Sequence, residues 1–265
     1  MLYRLQLLFA LLACLVLGTT PGAAQEKRNN IAATLLVEGP VAPGGTGTLA
    51  IRMVPGKGWH GYWSNPGDAG LGMSLDWTLP AGASAGAPRY PVPETLLIGG
   101  LMNHVYEHEY AVLVPFTAPA GAAPGSVLPL RVKASWLACT DKICVPEGGE
   151  LTAAVTIGTA AAPDPAFDRW RAALPAPLGS PARFAIDAGG VRVGIPLPAA
   201  VKLEQPHLFV ATDKTVDYAA PQRFFRQDDL LVVELPRAKY NPASPGALSA
   251  VLRLKEHGVR VIGLD

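Results

Sequence analysis

Charged residues and net charge are both scarce in this sequence of 265 residues. Only 16% of the residues are charged, and 22 Lys+Arg against 21 Asp+Glu leave a formal charge of +1. A protein that binds nucleic acid through bulk charge needs a strong positive excess, so the composition excludes that class. The sequence also has no glycine-rich loop of the kind that cradles phosphate and no serine-nucleophile elbow.

Long apolar runs are equally rare, and the longest one lies at the amino terminus. Residues 5–18 are almost entirely apolar, Arg4 precedes them, and small residues follow in positions 19–24. This run is shorter than the ~20 apolar residues that a membrane-spanning helix requires. The pattern predicts a signal peptide over residues 1–24, cleaved after Ala24, and therefore a periplasmic mature protein in a bacterium. A retained membrane anchor is the alternative.

The sequence contains three cysteines, and the predicted cleavage removes Cys14. The remaining pair, Cys139 and Cys144, is expected to meet as a disulfide in an oxidising compartment. Four residues separate them, whereas two separate the cysteines of a thioredoxin motif. Closing a loop of about six residues stabilises a fold by only ~2 kcal/mol. The spacing alone leaves both a structural bridge and a redox-active pair open.

Glycine and proline, in contrast, are abundant, with 28 and 26 residues. This composition predicts frequent turns and favours short strands over long helices. Residues 128–134 alternate apolar and polar side chains with the period of a half-buried strand. Similar runs recur at the spacing of a β-sandwich, in residues 33–37, 48–54, 111–116, 151–157, 191–195, 230–235 and 248–254.

One segment has the pattern of a helix instead of a strand. Asp164 can cap it, Pro165 suits its first position, and apolar residues follow at helical spacing up to Leu174. Segments rich in alanine and proline flank it and favour a boundary near residue 160. We therefore predict an all-β protein with one sandwich over residues 25–160, a linker with a short helix over 161–180, and a second sandwich over 181–265.

Several separated segments of the first half resemble one known family. These are residues 59–70, residues 75–77, Tyr106 with Glu107, and residues 136–147, which contain both cysteines. Together they resemble the amino-terminal periplasmic domain of the DsbD/ScsB thiol:disulfide interchange proteins over roughly residues 30–158. The resemblance implies an immunoglobulin-like fold for this part and, by extension, two immunoglobulin-like sandwich modules.

The resemblance further implies that Cys139 and Cys144 are a catalytic pair that cycles between disulfide and dithiol. Cys144 is then the cysteine that joins partners in the mixed disulfide. The implied activity is that of a thiol:disulfide oxidoreductase, which takes electrons from a membrane-embedded thiol reductase and passes them to periplasmic thioredoxin-like isomerases or reductases. Typical members continue into a membrane region, whereas this sequence stops at Asp265, so the donor is expected to be a separate chain.

Family members also protect the pair with a mobile cap loop. By position this loop corresponds to residues 96–103, with Gly99, Gly100, Leu101 and Met102 as cap candidates, although a plain glycine-rich connection is equally compatible. Residues expected to support the pair are Tyr106, Glu107, Trp136 and Lys142. Lys142 favours a nearby thiolate and Asp141 opposes one, so the sequence does not tell which sulfur ionises first.

A metal site is the main competing interpretation of these residues. His104 and His108 stand four apart and, with Cys139, Cys144 or Met102, would suit copper or zinc if they lay on a helix. Their surroundings favour a strand, so both imidazoles are expected in solvent, and no metal or other cofactor is predicted. The competing function is a non-catalytic binding or adaptor module with a permanent bridge, and the second half is expected to serve in docking or spacing.

Overall fold

The computed structural model describes residues 28–158, 164–240, 242–254 and 257–264. The predicted signal peptide over residues 1–24 and the predicted boundary near residue 160 lie outside these ranges. In the first half the strands are β1 Ile31–Val37, β2 Thr46–Pro55, β3 Gly61–Gly67, β4 Ser74–Thr78, β5 Ser84–Ala85, β6 Glu94–Ile98, β7 Leu101–Tyr106, β8 Tyr110–Thr117, β9 Val127–Cys139 and β10 Cys144–Thr156. Helix α1 Ala166–Ala172 follows. The remaining strands are β11 Ala176–Pro177, β12 Ala182–Asp187, β13 Gly190–Pro196, β14 His207–Val210, β15 Arg223–Gln227, β16 Leu230–Leu235, β17 Ala247–Leu254 and β18 His257–Leu264.

The first half consists of three small sheets around one apolar core. Their strand orders are β1-β2-β8-β5, β10-β9-β4 and β3-β7-β6. Strand β9 shows why this sequence forms a sheet: Leu130 and Val132 are buried, while Arg131 and Lys133 between them are exposed. Each fully buried aliphatic side chain of this kind contributes about 1.5–3 kcal/mol. The all-β fold class and the strand predicted at residues 128–134 are confirmed.

The short helix is anchored to the first half. The Asp164 Oδ1 atom accepts a hydrogen bond from the Ala166 backbone N–H at 2.9 Å, as expected of a residue that starts a helix. Phe167 and Trp170 are buried against Ala111 and Leu113 of β8. The helix predicted between the two halves is therefore present, and its apolar face covers the outside of the β2–β8 pair.

The second half is built around one large sheet. Its order is β14-β17-β18-β12-β13-β16-β15, and β11 pairs with β18 to make eight strands. A second apolar core lies on this sheet and includes Val193 and Leu231. The two halves share packing, because Phe209 and Val251 belong to the core of the first half and Met102 packs against the second. The division into two sandwich modules stays a prediction.

A span through a membrane would require a much longer helix than α1. Within the described ranges, no helix is long and apolar enough to cross a bilayer.

Candidate redox site

The two cysteines face each other at the end of a long hairpin. Cys139 ends β9, Cys144 begins β10, and the antiparallel ladder pairs them directly. Their sulfurs are bonded at 2.00 Å. Thr140 holds the turn between them, since its hydroxyl oxygen accepts hydrogen bonds from the backbone N–H groups of Lys142 and Ile143, both at 3.1 Å. The ladder continues below the cysteines for twelve further residue pairs, down to Val127 and Thr156, and these pairs fix the positions of the two strands. The hairpin therefore holds the two sulfurs close whether or not they are bonded.

The two halves of the disulfide differ sharply in exposure. Cys139 is 0% exposed and packs with Tyr62 and Val105. Cys144 is exposed, and the neighbouring Ile143 side chain is 56% exposed. A thiolate that attacks a disulfide has to reach one sulfur in line. In this arrangement only the Cys144 side of the bond is open to an incoming thiol.

His60 lies opposite the buried cysteine, next to the start of β3. The backbone N–H of His60 donates to the Cys139 carbonyl oxygen at 2.9 Å, and the Cys139 N–H donates to the His60 carbonyl oxygen at 3.1 Å. The imidazole is 2% exposed, and its Nε2 atom finds no hydrogen-bond partner among the described residues. Burial lowers the pKa of His60, and the negative charge of Glu107 raises it in part. The sequence analysis gave His60 no role, although it stands inside one of the segments that carry the family resemblance.

Glu147 connects the base of the hairpin to the first strand. It pairs with Trp136 across the β9–β10 ladder and accepts a hydrogen bond from the Trp136 Nε1–H at 3.1 Å. The same carboxylate accepts from the backbone N–H of Asn30 at 2.6 Å, from the Asn30 amide at 2.7 Å and from the Ile31 N–H at 3.1 Å. Trp136, predicted to support the pair, donates to a buried carboxylate that the sequence analysis did not single out, and its supporting role stays a prediction.

The predicted cap segment is a tight hairpin between β6 and β7. Gly99 and Gly100 form its two-residue turn, with positive φ values of 58° and 85°, as a type I′ turn requires. Leu96 packs against the cluster around Cys139, whereas Leu101 is exposed at the tip and the Met102 side chain packs against the core of the second half. Within the described part of the chain, Leu96 is the residue of this segment that joins the cysteine cluster. The protective role of the segment stays a prediction.

The other predicted supporting residues occupy two different environments. Tyr106 is buried, donates from its hydroxyl to the Pro91 carbonyl oxygen at 2.7 Å and stacks on Tyr110. Glu107 is exposed just beyond the end of β7, and Lys142 is exposed in the turn between the cysteines. Tyr106 thus belongs to the framework, while the two charged residues lie at the surface.

The histidines considered as metal ligands are separated by the fold. His104 lies within β7 and is 1% exposed, whereas His108 lies in the exposed turn that follows. The expectation that both imidazoles are in solvent was wrong for His104, because Phe209 and Tyr218 of the second half cover it at ring distances of 5.0 and 5.4 Å. In the part of the chain that the structure describes, no group of three or more His, Cys, Asp or Glu side chains is suited to a metal ion.

The fold and the site together define a class of protein. It is a β-sandwich that presents, at the end of a hairpin, a short-range disulfide with one buried and one exposed sulfur. Residues 32–156 match the family described as "Thiol:disulfide interchange protein DsbD, N-terminal", and this segment belongs to that family.

Solved structures extend the likeness to the second half. The crystal structure of the N-terminal periplasmic domain of ScsB from Proteus mirabilis is similar with a TM-score of 0.67 at 15% identity, covering 91% of this chain and 96% of that chain. At this identity the likeness shows the fold alone. The reduced DsbD N-terminal domain of Neisseria meningitidis matches at 14% identity over 50% of this chain and 90% of that chain, but its TM-score of 0.31 carries no argument. No curated protein sequence matches the chain.

Proposed function

We propose that this protein carries out dithiol–disulfide exchange in the periplasm through Cys139 and Cys144. It relays electrons from a membrane-embedded thiol reductase to thioredoxin-like partners. The observation that carries the proposal is the unequal exposure of one bonded pair, with Cys144 open to solvent and Cys139 fully buried. Membership of residues 32–156 in the interchange family supports the same activity.

The exposure assigns different tasks to the two cysteines. In the reduced protein, the Cys144 thiolate attacks the disulfide of a partner, the partner's own bond breaks, and a mixed disulfide with Cys144 forms. Cys139 then attacks the Cys144 sulfur, which restores the internal disulfide and releases the partner as a dithiol. Two electrons pass from the cysteine pair to the partner disulfide. The hairpin ladder keeps Cys139 beside Cys144 throughout, so the second attack needs no rearrangement of the sheet.

Two observations support a periplasmic location. Residues 1–24 have the charge, apolar run and small residues of a cleaved signal peptide. The ScsB domain of similar fold is itself described as periplasmic.

Single cysteine variants test the assigned order of attack. With a thioredoxin-like periplasmic protein as partner, Cys144→Ala should abolish electron transfer, because the remaining sulfur is buried. Cys139→Ala should accumulate a mixed disulfide through Cys144, because the resolving cysteine is missing. Non-reducing electrophoresis and mass spectrometry of the trapped species measure this directly. A trapped species with Cys144→Ala, or none with Cys139→Ala, contradicts the assignment, and a permanent structural bridge would give none with either.

A further inference from the structure

His60 and Cys139 share one face of the sheet. They exchange both backbone hydrogen bonds of an antiparallel bridge. Residues paired in this way have side chains on the same face, with Cβ atoms about 5 Å apart. The imidazole therefore lies beside the buried cysteine, on the side of the sheet where Tyr62 also packs.

Glu107 continues this row on the other side of His60. The β3–β7 ladder pairs Gly61 with Tyr106, and the same antiparallel register extended by one residue places Glu107 opposite His60. The electrostatic effect of Glu107 on His60 agrees with this placement, because its carboxylate favours the protonated imidazole. Cys139, His60 and Glu107 thus follow one another across three neighbouring segments.

The imidazole has an unused polar atom at this place. The Nε2 atom of His60 is buried and lacks a hydrogen-bond partner within the described residues. Buried polar atoms are nearly always paired, and an unpaired one calls for an explanation. In the structure Cys139 is bonded to Cys144 and carries no proton. Reduction converts the same sulfur into a thiol, which is a hydrogen-bond donor on the face of the sheet that the imidazole occupies.

We propose that His60 is the proton acceptor for the Cys139 thiol, and that Glu107 stabilises the imidazolium that results. The inference rests on the proposed function, because it gives a proton path to the second step of exchange. A buried thiol ionises poorly without a nearby group to take its proton, and only the thiolate attacks. His60 supplies this group where water has no access to Cys139.

The proton and electron counts of the step balance. The Cys139 thiol gives its proton to His60 Nε2, and the thiolate attacks the Cys144 sulfur of the mixed disulfide. The Cys139–Cys144 bond forms, the bond between Cys144 and the partner breaks, and the partner sulfur leaves as a thiolate. The imidazolium then releases its proton to solvent, and the departing thiolate takes one up. In reverse, the imidazolium protonates Cys139 when a partner opens the disulfide.

The groups facing His60 set the direction of its pH response. Glu107 approaches from the end of β7, Tyr62 packs against the imidazole from β3 at a ring distance of 5.4 Å, and Cys139 lies opposite in β9. Glu107 carries the carboxyl group among them, and its charge favours the imidazolium, although burial lowers the pKa of His60 overall. Loss of Glu107 should therefore weaken proton uptake by His60 without removing it.

The first test follows the Cys139 thiolate itself. In a Cys144→Ala protein lacking residues 1–24, Cys139 is the one remaining thiol, and absorbance at 240 nm reports its ionisation. Adding His60→Gln should move the ionisation to higher pH by about one unit or more, as expected when a neighbouring cation is lost. Glu107→Gln should move it less, and His108→Gln, at an exposed histidine, should not move it. Identical titrations for His60→Gln and its parent overturn the proposal.

The second test measures turnover with both cysteines present. His60→Gln should slow release of the partner from the mixed disulfide at pH 7 by about a hundredfold, at the lower end of general acid–base effects. It should also flatten the pH dependence of that rate, and His108→Gln should change neither. An unchanged rate and pH profile in His60→Gln overturns the proposal.

A third measurement needs no variant and covers the case in which His60→Gln does not fold. The His60 ring resonances in the nuclear magnetic resonance spectrum should titrate at different pH values in the oxidised and reduced wild-type protein. Equal midpoints overturn the proposal. If the wild-type protein exchanges with no thioredoxin-like partner, the proposed function fails, whereas the thiolate titration still decides the role of His60.

Discussion

The sheet β3-β7-β6 separates two regions, the disulfide region around Cys139 and the contact between the halves around His104. Alternate residues of a strand point to opposite faces. On β7, Val105 packs with Cys139 and forms part of the disulfide region, while His104 packs with Phe209 and Tyr218 of the second half. One strand therefore contributes to the candidate redox site on one face and to the contact between the halves on the other.

Each region contains a buried histidine whose Nε2 atom is unpaired among the described residues. His60 lies between Cys139, whose thiol form has a proton to donate, and Glu107, whose carboxylate favours the protonated imidazole. His104 lies among aromatic rings, and the nearby charge is that of Arg253, which opposes protonation. Burial alone therefore does not indicate chemistry, and the neighbours of the imidazole do.

The largest expected effect is acid destabilisation through the histidine region. Burial lowers the pKa of His104 to about 4 and the pKa of His207 to about 3. The unfolded chain binds these protons near the ordinary pKa of about 6.5. The stability these histidines confer is present above pH 6.5 and is lost as the pH falls toward 4. His104 alone should account for about 3 kcal/mol of this loss.

Urea unfolding at pH 7 and pH 4 measures this loss. His104→Gln should remove much of the difference between the two pH values, and His108→Gln, at an exposed site, should retain it. A wild-type unfolding free energy that does not change between pH 6.5 and 4 contradicts the account of the histidine region.

The second prediction removes the hydrogen bonds that join the halves. The Asn65 amide donates to the Val210 carbonyl oxygen at 3.0 Å and to the Tyr218 hydroxyl at 2.7 Å. Asn65→Ala removes both hydrogen bonds and should cost about 2–3 kcal/mol of unfolding free energy, because the Val210 and Tyr218 groups that accept them are buried. Asn29→Ala is a matched control, since Asn29 is exposed and donates one hydrogen bond to Gly148. A shift in the redox potential of the disulfide in Asn65→Ala would show that the two faces are coupled.

The third prediction concerns the base of the disulfide region. Glu147→Gln replaces a carboxylate that accepts four hydrogen bonds with an amide that has one acceptor oxygen. The expected cost is about 1–2 kcal/mol in thermal or urea unfolding. Glu150→Gln on the same strand should change stability by less than about 0.5 kcal/mol, because its contact with Arg131 is exposed. Equal effects of the two variants would contradict the supporting role of Glu147.

The smallest effect is expected at the predicted cap segment. Gly100 has a φ of 85°, and a methyl group there would meet open space. Gly100→Ala should therefore cost only backbone strain, about 1 kcal/mol. Gly149→Ala is the control, because it also meets open space and needs no positive φ. A loss above about 3 kcal/mol in Gly100→Ala, seen in urea unfolding, would contradict the view that backbone strain is the whole cost of this substitution.

The sequence predicted those parts of the fold that depend on local pattern. Alternation in residues 128–134 and the helix start at Asp164 and Pro165 are local signals, and both elements form near the predicted positions. The cysteine spacing was compatible with a hairpin pair but left its function open. It could not show that one sulfur is exposed and the other buried, because strand register decides this.

Residues whose environment is set by contacts distant in sequence were missed. His104 was expected in solvent because nothing near it in sequence predicts Phe209 above it. His60 was passed over because its partner Cys139 comes from a different strand, far along the chain. Glu147 likewise receives its hydrogen bonds from Asn30 and Ile31, more than a hundred residues away. In each case the chemistry becomes visible once two distant strands are paired.

A redox titration of the Cys139–Cys144 pair tests the central claim most directly. The protein lacking residues 1–24 is equilibrated in thiol buffers of defined potential, and the reduced fraction is read by alkylation and mass spectrometry. An exchange pair predicts a midpoint between about −120 and −270 mV, the range of known exchange proteins. A midpoint well below about −300 mV would mark a permanent structural bridge and contradict the account.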